Sequence, residues 1–311
     1  MKKILLAVSA LSAALFSTAA NADISVSGSA NAVYVDADGN SQGHVGGTIS
    51  FSMSTTTDGG VTISTGGQIT NDPDAAGGAG TASGMTALTF AFANGSITVA
   101  DDVAVPAGTG LVGELVGHAD SNQVTHTNDV KIATDDGSGI SASTSVGDMT
   151  LAATYFYDGG HNQDIDGGTT TGAGASLTMP LGGMSLVVSS SSVDANGTED
   201  TSTGGALTLA AGNGTLSLGI ETTHGDTAAT EGEAYSVSYS TSLGGAAVAV
   251  GYTGFDANSN TSNKTDITLS QSIGGGASIF AEYSNLSGAG AAAGTQTLAE
   301  GVVAVGTSVS F

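Results

Sequence analysis

From residue 23 onward the chain repeats one pattern: about seven to fourteen residues with an apolar side chain at every second position, then a cluster of turn formers. Ile49, Phe51 and Met53 alternate with Ser50, Ser52 and Ser54, and Leu216, Leu218 and Ile220 with Ser217, Gly219 and Glu221. Val237 and Tyr239 alternate with Ser236, Ser238 and Ser240; Val248, Val250 and Tyr252 with Ala249 and Gly251. The final segment puts Val303, Val305, Thr307, Val309 and Phe311 on one face and Gly306, Ser308 and Ser310 on the other. A period of two predicts β-strands, each with one apolar face and one small, polar face. Such strands suit a sheet standing between hydrocarbon and water, with the apolar face on lipid. They suit equally a soluble sandwich with the apolar face inside, and periodicity does not separate the two.

The connections do. Short turn signals occur at Asp58-Gly59-Gly60, Asn94-Gly95, Gly147-Asp148, Leu181-Gly182-Gly183, Asn213-Gly214, Leu243-Gly244-Gly245 and Gly274-Gly275-Gly276. Tight hairpins need positive φ at their central residues, which Gly and Asn tolerate. Long connections are expected between them, near 36–44, 71–85, 101–139, 158–172, 194–204, 223–232, 254–264 and 285–300. Seven short and eight long connections, in alternation, join sixteen strands. The expected fold is therefore all-β: a single 16-stranded antiparallel transmembrane β-barrel over 23–311, with short periplasmic turns and long extracellular loops.

The leader agrees with export. Lys2 and Lys3, an apolar run from Ile4 to Phe16 and the small residues Ala20-Asn21-Ala22 form a signal-peptide pattern over 1–22, with cleavage expected after Ala22. Export followed by a terminal aromatic strand places the chain in the bacterial outer membrane, with Phe311 as its assembly signal. No later run of eighteen apolar residues offers a helical span. Cysteine is absent, which removes disulfides, thiolate metal sites and a catalytic thiol.

Charge narrows the function. The net charge is −24, and it becomes two units more negative once Lys2 and Lys3 leave. Lys131 and Lys264 are then the only basic side chains beside the histidines, and there is no arginine. Nucleic-acid binding is excluded, because nothing neutralises phosphates. A field this acidic favours cations over anions in any narrow aqueous passage. The histidines (His44, His118, His126, His161 and His224) have no metal-ligand spacing, and no nucleophile elbow is present, so an enzyme is not expected. Aromatic residues make up 5% and tryptophan is absent, a thin supply for interfacial girdles; Tyr34, Tyr155, Tyr157, Tyr252, Phe255 and Tyr283 sit near strand ends.

Several segments taken in order resemble general bacterial porins of the alphaproteobacterial type. They are 23–30 (Asp-Ile-Ser-Val-Ser-Gly-Ser-Ala), 51–60 (Phe-Ser-Met-Ser-Thr-Thr-Thr-Asp-Gly-Gly), the hairpin 138–155, and 275–280 followed by the terminal aromatic strand. The resemblance implies a homotrimer of sixteen-stranded barrels in outer-membrane lipid, inserted by the outer-membrane assembly machinery. Small hydrophilic solutes and cations would pass by diffusion, with no cofactor required. It also implies that the third long loop, about 101–139, folds inward to narrow the pore. Asp101, Asp102, Glu114, His118, Asp120 and Asp129 on that loop become the candidate constriction residues. Ser25, Ser27, Ser29, Asn31, Ser50, Ser52, Ser54, Thr62 and Ser64 would form the facing wall. The arginines that porins usually set opposite the loop have no counterpart here.

Three acidic clusters near loops offer hard oxygen ligands for Ca²⁺: Asp36 with Asp38, Asp164 with Asp166, and Glu199 with Asp200. The same residue types are the commonest turn formers, so an incidental turn is the competing reading. A rival to the whole picture is a secreted or surface-layer acidic β-protein stabilised by calcium. That class should show a fixed internal repeat, and none occurs.

Overall fold

The computed structural model describes residues 23–37, 40–71, 81–83, 87–103, 137–158, 170–195, 197–225, 231–257, 260–288 and 301–311. Its elements are β1 (Asp23–Ala37), β2 (Asn40–Thr56), β3 (Thr62–Asn71), β4 (Thr81–Ser83), β5 (Ala87–Phe92) and β6 (Gly95–Val103). Next come β7 (Gly137–Val146), β8 (Met149–Asp158), β9 (Thr170–Leu181), β10 (Met184–Ala195), β11 (Thr198–Ala211) and β12 (Gly214–Gly225). The last are β13 (Gly232–Leu243), β14 (Ala246–Ala257), β15 (Asn260–Gly274), β16 (Ala277–Gly288) and β17 (Val302–Ser310). Among the described residues no helix is long and apolar enough to cross a membrane.

Strands adjacent in the chain pair antiparallel, β4 and β5 excepted, and β1 pairs with both β2 and β17, so the sheet closes. β4 and β5 both pair with β3, at Thr70↔Thr81 and Ser64↔Thr89, and together make one stave. The seventeen segments thus form a closed barrel of sixteen staves. All seven predicted tight turns occur, at the same end as both the start of β1 and the end of β17. Gly182-Gly183 and Gly244-Gly245 show why these sequences turn: all four have φ between 58° and 94°, which the two-residue hairpin requires.

The opposite end differs from expectation in three places. The connections expected over 36–44, 194–204 and 254–264 are mostly strand: Ala37 pairs with Asn40, Ala195 with Thr198, and Ala257 with Asn260. Their Asp, Asn, Ser and Gly content reads as loop, but beyond the apolar band both faces of a strand meet water. Alternation then disappears while the ladder continues. At the end of β10, Gly197 N–H donates to Asp194 Oδ1 at 2.7 Å. The third connection is shorter than 101–139, because β6 runs to Val103 and β7 begins at Gly137.

Burial settles the inside-out question. Ile220 is 59% exposed while its neighbour Glu221 is 2% exposed. Leu218, Val237, Val250, Ile267, Val303 and Val305 are likewise exposed, whereas Ser202, Thr223, Ser236 and Asp266 are buried. A soluble sandwich would show the reverse; an apolar outer face over a polar interior is the arrangement of a membrane barrel. Of the expected girdle aromatics, Tyr34, Tyr155, Tyr157 and Tyr283 are exposed on the apolar side, where Tyr235 and Tyr239 also stand, and Tyr252 shares that face opposite Val237. Position 255 pairs with position 234 in the β13–β14 ladder, and the side chain of Phe255 lies outside what the structure describes.

Candidate functional site

The inner wall consists of the strand positions that alternate with the apolar face. Toward the turn end it is a ladder of small hydroxyls that satisfy one another across strands. Ser25 shares a hydrogen bond with Ser52 (2.7 Å), Thr89 with Thr98 (2.9 Å), Ser96 with Ser143 (3.0 Å) and Ser278 with Ser308 (2.7 Å). These short side chains leave room for water and hydrogen-bond to it. The expected wall residues Ser25, Ser27, Ser29, Asn31, Ser50, Ser52, Ser54, Thr62 and Ser64 all fall on this face by register.

Toward the other end the wall changes character. At the seam, Val33, Val35, Phe280, Val302 and Ala304 form a buried apolar patch inside the barrel. Four buried charges on the inner wall had no assigned role in the sequence analysis: Lys264 and Asp266 on β15 and Glu282 on β16, near the patch, and Glu221 on β12, further round. Lys264 Nζ lies 3.4 Å from Asp266 Oδ2, and Ser284 Oγ donates to Asp266 Oδ1 at 2.7 Å. Ser202 Oγ donates to Glu221 Oε1 at 2.8 Å. The cross-strand register Asp266↔Ser284 and Thr268↔Glu282 puts the carboxylates of β15 and β16 on adjacent inner positions. Parity was the available signal. A charge at a strand position opposite the apolar face can only point inward, and Glu221 was already visible there in the sequence.

The proposed constriction residues are only partly described. Asp101 and Asp102 lie at the end of β6, within a register shift between Ala100 and Val103 where pairing with β7 is interrupted. Glu114, His118, Asp120 and Asp129 lie outside the described residues. Of the acidic clusters, Asp38, Asp164 and Asp166 also lie outside them. Asp36 accepts a hydrogen bond from Ser41 Oγ at 3.1 Å, and Glu199 accepts one from Ser192 Oγ at 2.8 Å. Glu199 and Asp200 are adjacent on β11, so they point to opposite faces and do not converge on one ion. β1 and β11 stand far apart around the barrel, and no group of three carboxylates or histidines that would hold a metal occurs among the described residues.

A closed barrel with an apolar exterior and a hydroxyl- and carboxylate-lined interior defines a water-filled membrane channel. The sequence matches the family model of the Gram-negative porins over residues 7–301, and the chain belongs to that family. Comparison with curated proteins finds no match. Among solved structures it is similar to OmpF of Salmonella typhi, crystallised with daunomycin, at 13% identity and TM-score 0.72, covering 93% of this chain and 97% of that one. It is similar to the anion-selective porin of Comamonas acidovorans at 14% identity and TM-score 0.67, covering 94% and 100%. It also resembles a porin refined at 1.8 Å, at 18% identity and TM-score 0.68, covering 93% and 100%. At these identities the likeness establishes the barrel fold. The protein is an outer-membrane channel for passive diffusion and is not an enzyme.

Proposed function

We propose that this channel passes small hydrophilic solutes and ions and prefers cations to anions. One observation carries the reading: among the described residues, the buried inner wall holds three carboxylates, Glu221, Asp266 and Glu282, and one ammonium, Lys264. Inside a narrow passage with low-dielectric walls, an excess of carboxylate over ammonium groups raises local cation concentration and repels anions. The absence of arginine from the whole chain leaves little to oppose them. An anion-selective relative shares the fold, so the sign rests on these side chains and not on the barrel.

The test is the reversal potential in planar bilayers under a KCl gradient. Wild type is expected to favour K⁺, less so at 1 M salt, where the Debye length falls to about 3 Å. Glu221→Gln/Glu282→Gln is expected to lower the K⁺ to Cl⁻ permeability ratio by roughly threefold. Glu114→Gln/Asp120→Asn measures the share carried by the third connection. Anion preference in wild type overturns the reading.

Two further parts of the proposal concern assembly. The family resemblance supports a homotrimer, and the carboxylates at 36, 38, 164 and 166 support recruitment of Ca²⁺ at the loop end. A ligand bound only by the folded state stabilises it, so chelation should lower the melting temperature and millimolar calcium restore it. Light scattering on the same detergent-solubilised samples reads the trimer. A monomer mass, or a melting temperature indifferent to chelator and calcium, removes the corresponding part.

A further inference from the structure

On the inner wall of β10–β12, hydroxyls lack the cross-strand partners that satisfy the ladder elsewhere. Ser189 Oγ, Ser191 Oγ and Thr223 Oγ1 are buried without a hydrogen-bond partner, and so is Asp200 Oδ1. The three hydroxyl residues are 7%, 4% and 1% exposed.

Register explains their isolation. Ser189 faces Gly204 on one side and Ser176 on the other, and Ser191 faces Gly174 and Ser202. Thr223 stands between that same Ser202 and Gly232, and Ser202 already donates to Glu221. Asp200 faces Val193 and Gly225. The glycines at 174, 204, 225 and 232 supply no polar side chain, and Ser176 opposite leaves Ser189 Oγ without a hydrogen bond. A buried hydroxyl without a partner costs roughly 1–3 kcal/mol, so three together mark a place where a ligand supplies the missing bonds. The positions form a grid, about 4.8 Å across strands and about 7 Å along them.

We propose that this patch is a binding station for a neutral polyhydroxylated solute of the sugar class, held transiently on its way through the pore. The chemistry favours that class over a cation. Ser and Thr hydroxyls each donate and accept, and the carboxylate only accepts. A sugar presents several groups that also do both, so it satisfies all four atoms together. An amine brings donors alone and leaves the hydroxyl protons unmatched. A metal ion lacks the required carboxylate set, since no such group occurs among the described residues. The station rests on the diffusion-channel reading but is independent of the cation preference.

The experiment uses the full-length, detergent-solubilised protein in planar bilayers. Maltose is titrated against KCl conductance, with tetraethylene glycol as a probe that fills volume with few hydroxyls. In wild type, maltose block is expected to saturate at millimolar concentration, while the glycol lowers conductance linearly. In Ser191→Ala/Thr223→Val, half-saturation is expected to move about tenfold higher, the loss of two neutral hydrogen bonds, with open-channel conductance retained. Asp200→Asn keeps the shape of the site and is expected to weaken block less. Linear block by maltose in wild type means that water alone occupies the hydroxyls and overturns the station. So does saturation unchanged in the double variant, or saturation by 1,4-diaminobutane without any by maltose. Absence of KCl conductance in wild type overturns the channel itself and the station with it.

Discussion

Removal of Phe311 is expected to abolish the folded barrel, leaving a chain that no longer shows heat-modifiable mobility in the outer-membrane fraction. β17 ends at Ser310, yet the ladder continues for one more residue: Gly28 N–H donates to Phe311 O at 2.8 Å and Phe311 N–H donates to Gly28 O at 2.9 Å. These two bonds are the last rung of the seam between first and last strand, and closure is what removes the exposed edges. The ring of Phe311 lies over Gly28, where an added Cβ would come within 2.5 Å of it. Deletion therefore loses both bonds and the apolar cover on the outer face together. In hydrocarbon each unpaired backbone group costs several kcal/mol, comparable with the whole stability of many domains. Gly28→Val leaves the bonds and displaces only the ring, so it should reduce folded yield less than the deletion. Wild-type amounts of heat-modifiable, surface-exposed protein without Phe311 would show that the seam closes without this rung.

The seam was legible in the sequence, since a terminal aromatic strand and the count of connections already implied closure. The turns were legible for a local reason: Gly182-Gly183 and Gly244-Gly245 satisfy a backbone demand that only their immediate neighbours set. Strand ends were harder. At Asp36 and Ser41, and again at Asp194 and Glu199, polar residues on both faces hid a ladder that continues beyond the apolar band. The charged wall was half legible. Alternation alone places Glu221, Lys264, Asp266 and Glu282 on the inner face. Their spacing around the wall depends on register, which turns and bulges set over the strands that separate them. The unpartnered hydroxyls of β10 and β12 were invisible for the same reason, because they are defined by which residues stand opposite them.

Lys264→Met is expected to change stability and selectivity at once. Lys264 and Asp266 are both nearly buried, with side chains 5% and 3% exposed and 3.4 Å between Nζ and Oδ2. Breaking such a pair from one side leaves a carboxylate that has lost its counter-charge, at a cost of about 3 kcal/mol, the low end for buried pairs because the interior carries water. Ser284 still donates to Asp266 Oδ1, but a hydroxyl dipole replaces little of a full positive charge. Replacing both partners with apolar side chains removes the stranded charge, so Lys264→Met/Asp266→Leu should recover most of the lost stability. Urea titration of the protein in lipid vesicles, followed by tyrosine fluorescence and circular dichroism, measures both variants. Reversal potentials give the second reading. The single variant removes one positive charge from a wall with Glu221, Asp266 and Glu282 and should prefer K⁺ more strongly than wild type. The double variant removes one charge of each sign and should return towards the wild-type ratio. If the single variant is as stable as wild type, water already screens the pair and its burial has no energetic consequence. If the double variant is no more stable than the single, Lys264 holds the wall through its other contacts and not through Asp266.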